Sequence, residues 1–138
     1  MTVAHSYGQN AIGQWVPLVV NDTDQARRIL TSSAWSYCAP AAGVIDTSDI
    51  VFSAAPGGGK NNRLEYLQII NVSALIATEF VLKSNSTVIW RMKLPAAMVQ
   101  PMVLQMAQVP FAAAANEALK AACLTAAVVY VNAQGYSA

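Results

Sequence analysis

The sequence predicts an all-β fold, an antiparallel β-sandwich or jelly roll of about seven or eight strands with an extended N-terminal segment. Several segments of strand length alternate apolar with polar residues, and clusters of Gly, Pro, Asn and Ser separate them. The 138 residues suffice for one domain. We expect residues 43–138 to form the sandwich, and residues 1–42 to form an N-terminal arm or the first strands.

The N-terminal segment is weakly periodic, and it holds the tryptophans Trp15 and Trp35. We interpret residues 1–10 as a tail and residues 15–20 as a short extended piece. The segment either lies as an arm on a neighbouring subunit or supplies the first strands of the same sandwich, and the pattern favours neither.

Four strands are predicted between residues 49 and 94. Residues 49–54 are short and rich in β-branched residues, and a glycine run follows them. Residues 64–71 and 78–83 are apolar strands, and Ser84–Ser86 turns the chain into residues 87–94. In this last strand the period of two predicts one buried and one partly solvated face. The expected buried face is Val88, Trp90 and Met92, and the expected solvated face is Ile89, Arg91 and Lys93.

The last third of the chain contains a clear strand and two less regular segments. Pro101 interrupts the apolar run 98–109, which predicts an edge strand or an irregular crossing. Residues 112–124 are rich in alanine, so helix propensity favours a helical turn there. Residues 127–136 are long and β-branched enough for a central strand.

The composition predicts an assembling protein. Hydrophobic residues make up 55% of the chain and charged residues only 11%, too few to cover a monomer's surface. We expect surface buried against copies of the chain or a larger assembly. The alternative is that alanine inflates the hydrophobic count without forming sticky patches. The net charge of +1 is scattered, which argues against nucleic acid. No apolar run reaches the ~20 residues that a membrane span needs, so no membrane partner is expected.

The start of the chain lacks the basic region and apolar core of a signal peptide, so we expect synthesis in a cytoplasm. The two cysteines, Cys38 and Cys123, are too few for an extracellular disulfide framework. Each lies among small apolar residues. We therefore expect both to be buried structural thiols.

No constellation in the sequence predicts catalysis. His5 is the sole histidine and lies in the expected tail, so one subunit cannot build a serine triad or a histidine-based metal site. Asp22 and Asp24 indicate a turn, not a calcium loop. Gly57–Lys60 resembles a phosphate loop, but Asn61 stands where Ser or Thr is required. We expect no enzyme activity, no cofactor and no metal.

Aromatic residues supply the candidates for outside contacts. Trp90 alternates with apolar residues and is expected in the core. Trp15 and Trp35 are less constrained by pattern, and aromatic residues are common at interface hot spots. The predicted interface residues are Trp15, Val16, Trp35 and Tyr37.

Residues 53–71, with 77–83 and 87–91, resemble small virion structural proteins of tailed bacteriophages. Residues 110–119 and 129–136 look like the closing strands of those proteins. There the alanine-rich stretch leads into a strand, which overrules the helix that propensity favours. The resemblance extends from Ser53 to Tyr136.

The resemblance implies a non-enzymatic capsid decoration, or cement, protein that binds the major capsid protein at capsomer junctions. It would be made in the host cytoplasm, lie on the outer surface of the virion and associate with itself as a trimer. Its N-terminal segment would act as a clasp. The alternative is a tail, neck or fibre-associated module, because similar modules occur on tail appendages.

Overall fold

The computed structural model describes residues 33–106 and 108–138, and the backbone of residues 7–9 and 15–17. The chain divides into two compact units, Met1–Ser32 and Ser33–Ala138. In the first unit, β1 (Tyr7–Gln9) pairs antiparallel with β2 (Trp15–Pro17).

The second unit consists of nine strands in two antiparallel sheets. The five-stranded sheet contains β3 (Ser33–Cys38), β5 (Asn62–Asn71), β8 (Met102–Gln105), β9 (Phe111–Ala112) and β11 (Val129–Ser137). The four-stranded sheet contains β4 (Ile50–Ser53), β6 (Thr78–Ser84), β7 (Thr87–Leu94) and β10 (Leu119–Cys123). The described residues contain no helix, so the predicted all-β class is confirmed.

The strand order is β3-β11-β5-β8 in one sheet, with β9 also paired to β5, and β4-β10-β6-β7 in the other. Most connections pass from one sheet to the other, and the β6–β7 hairpin is an exception within one sheet. The second unit begins at Ser33, because β3 pairs with β11 through six residues.

One hydrophobic core draws residues from both sheets, an arrangement consistent with a β-sandwich. Leu64, Leu67 and Ile69 of β5 are fully buried, as are Phe80 and Leu82 of β6. Alternation places these side chains on one face of each strand, and the extra residue Glu65 in β5 keeps Leu64 and Leu67 on the same face. Full burial of each such side chain contributes about 1.5–3 kcal/mol relative to leaving it exposed.

The faces predicted for β7 are partly wrong because the β6–β7 pairing contains a bulge. Leu82 opposes Trp90 but Lys83 opposes Val88, so Ile89 is an extra residue on β7. A bulge changes which face the flanking residues occupy. Val88 is therefore exposed, whereas Ile89 packs against the core. Trp90 is half-buried against the core, as expected, at 5.9 Å from the ring centroid of Phe111.

The structure also tests the predictions for the last third of the chain. Residues 112–124 do not form the helical turn that propensity favours: they contain the last residue of β9, a turn and strand β10, in line with the strand that the resemblance implied. Asn116 is left-handed in this turn, at φ 62°. The edge strand predicted near Pro101 is confirmed as β8, and the central strand predicted over 127–136 is confirmed as β11.

Two fully buried asparagines mark the ends of β5 and hold the loops at the two ends of the unit. The Nδ2 group of Asn62 donates to the carbonyl oxygens of Ser53, Ala54 and Glu117. At the opposite end, Nδ2 of Asn71 donates to the carbonyls of residues 76 and 95. Because buried amides that are fully bonded are costly to disrupt, the loops are held in defined positions.

Candidate functional site

Four loops meet at one end of the second unit, where β5 ends and β6 begins. We define residues 40–45, 72–77, 95–101 and 124–128 as the apolar end. None of these residues is charged. Hydrogen bonds between the loops hold them together. The amide nitrogen of Val72 donates to the oxygen of residue 128 at 2.9 Å, and that of Ala97 donates to the oxygen of residue 73 at 2.7 Å.

The apolar end exposes large aliphatic side chains. Leu75 and Val99 are each 93% exposed, which is unusual for residues of this size on a folded domain. The other exposed aliphatic residues in these loops are Ile45, Val72, Ile76 and Leu124. Charged residues border these loops: Asp46 follows Ile45, and Glu79 and Lys93 lie in the pocket that Ala77 and Pro95 line. Grouped aliphatic side chains with a polar rim are typical of surfaces that bind another macromolecule.

Backbone bonds and polar side chains give these loops a defined conformation. The amide nitrogen of Val128 donates to Oγ of Ser73 at 2.6 Å, and Oγ1 of Thr78 donates to the carbonyl of Thr125 at 2.7 Å. Ala97 is left-handed, at φ 51°, which costs a non-glycine residue about 1 kcal/mol. A surface that is already ordered loses less conformational entropy when it binds.

A second surface of low charge is the outer face of the five-stranded sheet. We define the amide face as the outward residues of three rows that cross strands β3, β11, β5 and β8 or β9. The register of the strands defines the rows. The first row is Cys38, Asn132, Gln68 and Val103, and the second row is Ser36, Gln134, Tyr66 and Gln105. The third row is Ala34, Tyr136, Arg63 and Ala112. Charge on this face is confined to Arg63 and to Glu65, the extra residue at the bulge of β5.

The outer face of the four-stranded sheet carries ion pairs instead. Nζ of Lys83 lies 2.7 Å from Oδ1 of Asp49, and Nζ of Lys120 lies 3.6 Å from Oδ2 of the same carboxylate. The hydrogen bond from Lys83 lowers the pKa of Asp49 below its usual value. Arg91 pairs with Glu79 at 3.2 Å. This face is a solvated surface of mixed charge, unlike the other two.

The predicted interface residues Trp35 and Tyr37 lie on the inward side of β3. Both are half-buried, and their ring centroids lie 6.5 Å and 5.2 Å from that of Phe52 in the opposite sheet. Trp35 also lies against Gly135, where an added Cβ would come within 2.4 Å of the indole. Burial raises the pKa of Tyr37. Both residues therefore close the edge between the sheets, and their contact with a partner stays a prediction.

Trp15 and Val16 lie in β2, and their side chains are outside the described part of the structure. His5 and the pair Asp22 and Asp24 also lie outside it. The interface role of the first two residues and the turn at the last two stay predictions.

Both cysteines are free. Cys123 is buried as predicted, and burial raises the pKa of its thiol to about 11. The predicted burial of Cys38 is wrong: the residue is exposed, because alternation along β3 turns it to the outer face while Tyr37 turns inward.

Within the described ranges, no three His, Cys, Asp or Glu side chains are grouped as metal ligands would be. The same residues include no helix of the length and apolarity that a membrane span requires. The described residues offer two surfaces of low charge that suit non-covalent binding.

The sequence-based reasoning missed both surfaces. The feature of the sequence that indicates such surfaces is a segment without charged residues, such as 72–77 or 95–101. Their grouping depends on strand pairing, which the pattern of a single segment does not report.

No protein-family model matches this chain. The comparison with curated proteins and the comparison with solved structures likewise found no match.

Proposed function

We propose that this chain is a non-enzymatic virion structural protein, a capsid decoration protein that binds the major capsid protein on the outer shell. The observation that carries the proposal is the apolar end, where Leu75 and Val99 are each 93% exposed among loops without charge. Burying side chains of this size contributes about 1.5–3 kcal/mol each, which suits attachment to an apolar hollow between capsomers.

The strand order supports a virion context for the proposal. The orders β3-β11-β5-β8 and β4-β10-β6-β7 correspond to the two sheets of an eight-stranded jelly roll when β8 and β9 are taken as one strand. We therefore infer a jelly-roll sandwich, a fold that viral capsid domains use and that lectins also use. The analogy is one of fold, so the function rests on the surface and on the resemblance of residues 53–136 to phage virion proteins.

The proposed assembly is a trimer at capsomer junctions, formed by chains made in the host cytoplasm. Each subunit contributes one small apolar contact. A trimer binds more tightly than its single contacts because the first attachment raises the effective concentration of the others. The N-terminal unit is the proposed clasp.

The first experiment tests whether the apolar end mediates attachment. Val99→Asp places a charge on the apolar end, and Val109→Asp places the same charge on the loop between β8 and β9, where the valine is 83% exposed. Both proteins are added to shells that lack the decoration protein, and bound protein is measured by sedimentation. We expect Val99→Asp to weaken binding at least about tenfold, since burying an unpaired charge exceeds 1.4 kcal/mol.

The control Val109→Asp should bind like the parent protein, and circular dichroism should show that both variants are folded. Equal binding by both variants would remove the apolar end from the attachment site. Quantitative mass spectrometry of purified particles then tests the location. Copies in the hundreds support a shell protein, a few copies favour the tail or neck, and absence from particles refutes the virion proposal.

A further inference from the structure

We propose that the amide face is covered by a second copy of this chain. The inference rests on the self-association contained in the proposed function, but it does not require attachment to a shell. It assigns a surface and a partner to that association.

The amide face carries less charge than the outer face of the four-stranded sheet. The four-stranded sheet pairs Asp49 and Glu79 with lysine and arginine on its outer face, as expected for a sheet in contact with water. The amide face has Arg63 and Glu65, whose opposite charges leave it neutral. Depletion of charge together with tyrosine, here Tyr66 and Tyr136, is typical of the centre of protein interfaces.

The chemistry of the amide face is complementary to itself. An amide side chain both donates and accepts hydrogen bonds, so it can pair with the same group on an identical surface. Within the face, Nδ2 of Asn132 donates to Oε1 of Gln68 at 3.3 Å, which shows the geometry of one such pair. Gln134 and Gln105 are exposed in the next row and present the same groups outward. Two copies therefore meet without repulsion between like charges.

The area of the face suits a weak contact. Four strands about 4.8 Å apart, followed over about six residues at about 3.4 Å each, give a face of about 390 Å². Two such faces bury about 780 Å², below the roughly 1,000 Å² at which stable specific interfaces begin, so the contact is a weak one. We therefore expect association in the micromolar range in solution, which a clustered arrangement would strengthen.

Other partners fit this face less well. Nucleic acid requires several cations to neutralise phosphates, and the face offers only Arg63. A membrane surface favours an apolar patch, which the apolar end has and the amide face lacks. A glycan is the remaining alternative, because tyrosine and amide groups also bind sugars, and the experiment below separates it.

The thiol of Cys38 can be used to measure whether a second copy covers the amide face. It is exposed and lies in the first row of the amide face, beside Asn132. Cys123 is buried, so a maleimide added to the folded protein should react at Cys38. The rate of labelling at Cys38 then measures how often the face is open.

The test compares three variants of the purified full chain in the absence of particles. Gln134→Lys and Ser36→Lys place a cation on neighbouring positions of the amide face. Gln108→Lys makes the matched change at an exposed position outside the sheet. Sedimentation velocity measures self-association across the micromolar range, and maleimide labelling measures protection of Cys38.

We expect the parent protein and Gln108→Lys to associate and to protect Cys38 increasingly as concentration rises. Gln134→Lys and Ser36→Lys should weaken association at least about tenfold and remove that protection, because like charges then face each other. A dimer with these properties supports the inference, because identical faces meet only in pairs. A trimer would refute the pairing of identical faces.

A protein that stays monomeric, or an oligomer in which Cys38 labels at an unchanged rate, would overturn the inference. Binding of a polysaccharide that protects Cys38 in a monomer would also overturn it, in favour of a glycan site. Since no shell is present, none of these outcomes depends on whether the apolar end binds capsid protein.

Discussion

Asn62→Asp is the most informative test of how the unit is held together. Asn62 is fully buried, and its Nδ2 group donates to the carbonyls of Ser53, Ala54 and Glu117 at 3.3, 2.8 and 3.1 Å. Its Oδ1 accepts a hydrogen bond from Oγ of Ser137 at 2.6 Å. The substitution keeps the size of the side chain and replaces the donating amide by an oxygen that faces three carbonyl oxygens.

The expected loss of stability follows from the charge of the buried carboxylate. The side-chain hydrogen bonds described for Asn62 include no cation. At neutral pH a buried carboxylate without a compensating partner costs about 3–5 kcal/mol of a total stability of about 5–15 kcal/mol. Burial and the carbonyl oxygens raise the pKa of the new carboxyl above its unfolded value of about 3.9. The folded state therefore binds a proton as the pH falls, and each pH unit recovers up to about 1.4 kcal/mol.

At acid pH the stability of Asn62→Asp does not return fully to that of the parent protein. A protonated carboxyl has one donor, whereas the amide has two, so at least one carbonyl oxygen remains less well satisfied. We expect urea unfolding at about pH 7 and about pH 5 to show a loss that is clearly smaller at the lower pH. Each loss is taken relative to the parent protein at the same pH.

The matched control is Asn85→Asp. Asn85 is exposed in the β6–β7 hairpin and left-handed at φ 51°, a conformation that aspartate also adopts. We expect its effect to stay within about 0.5 kcal/mol at both pH values. If Asn62→Asp costs less than about 1 kcal/mol at neutral pH, or costs the same at both pH values, the account of the buried amide is wrong.

Two further predictions concern Gly135 and Asp49. Gly135→Ala should lower the midpoint of thermal unfolding by several degrees, because its Cβ would lie 1.9 Å from a backbone oxygen and overpacking costs about 1–3 kcal/mol; an unchanged midpoint would contradict this. Asp49→Asn should cost less than about 1 kcal/mol at neutral pH, since the carboxylate paired with Lys83 is 37% exposed. Because the pKa of Asp49 is lowered in the folded protein, the ion pair stabilises the fold above the pKa of Asp49 in the unfolded chain. This stabilisation is lost as the pH falls through the lowered pKa of the folded state. In acid, urea unfolding should therefore show no difference between Asp49→Asn and the parent protein.

Most of the strands were predictable from local pattern. β4, β5 and β6 coincide with apolar segments of strand length, and β11 coincides with the longest β-branched run near the end of the chain. Burial on one face imposes a period of two on each strand, and that period is visible in the sequence without knowledge of the partner strand.

Predictions that depended on the partner strand were less successful. The bulge at Ile89 moves Val88 to the outside, and no signal within β7 reveals it because the mismatch arises against β6. The alanine-rich residues 112–124 have helix propensity, yet pairing of β10 with β4 and β6 makes them part of a sheet. Tertiary hydrogen bonding outweighs a propensity of a few tenths of a kcal/mol per residue.

The sequence by itself determined the all-β class, the segments that form most strands and the scarcity of charge. Only the tertiary structure decided where the uncharged segments lie. Residues 72–77 and 124–128 are distant in the chain. The chain passes from one sheet to the other after β5 and again after β10, and both connections lie at the apolar end. Alternation is a local property of the backbone, whereas a surface is formed by segments that strand pairing brings together from distant parts of the chain.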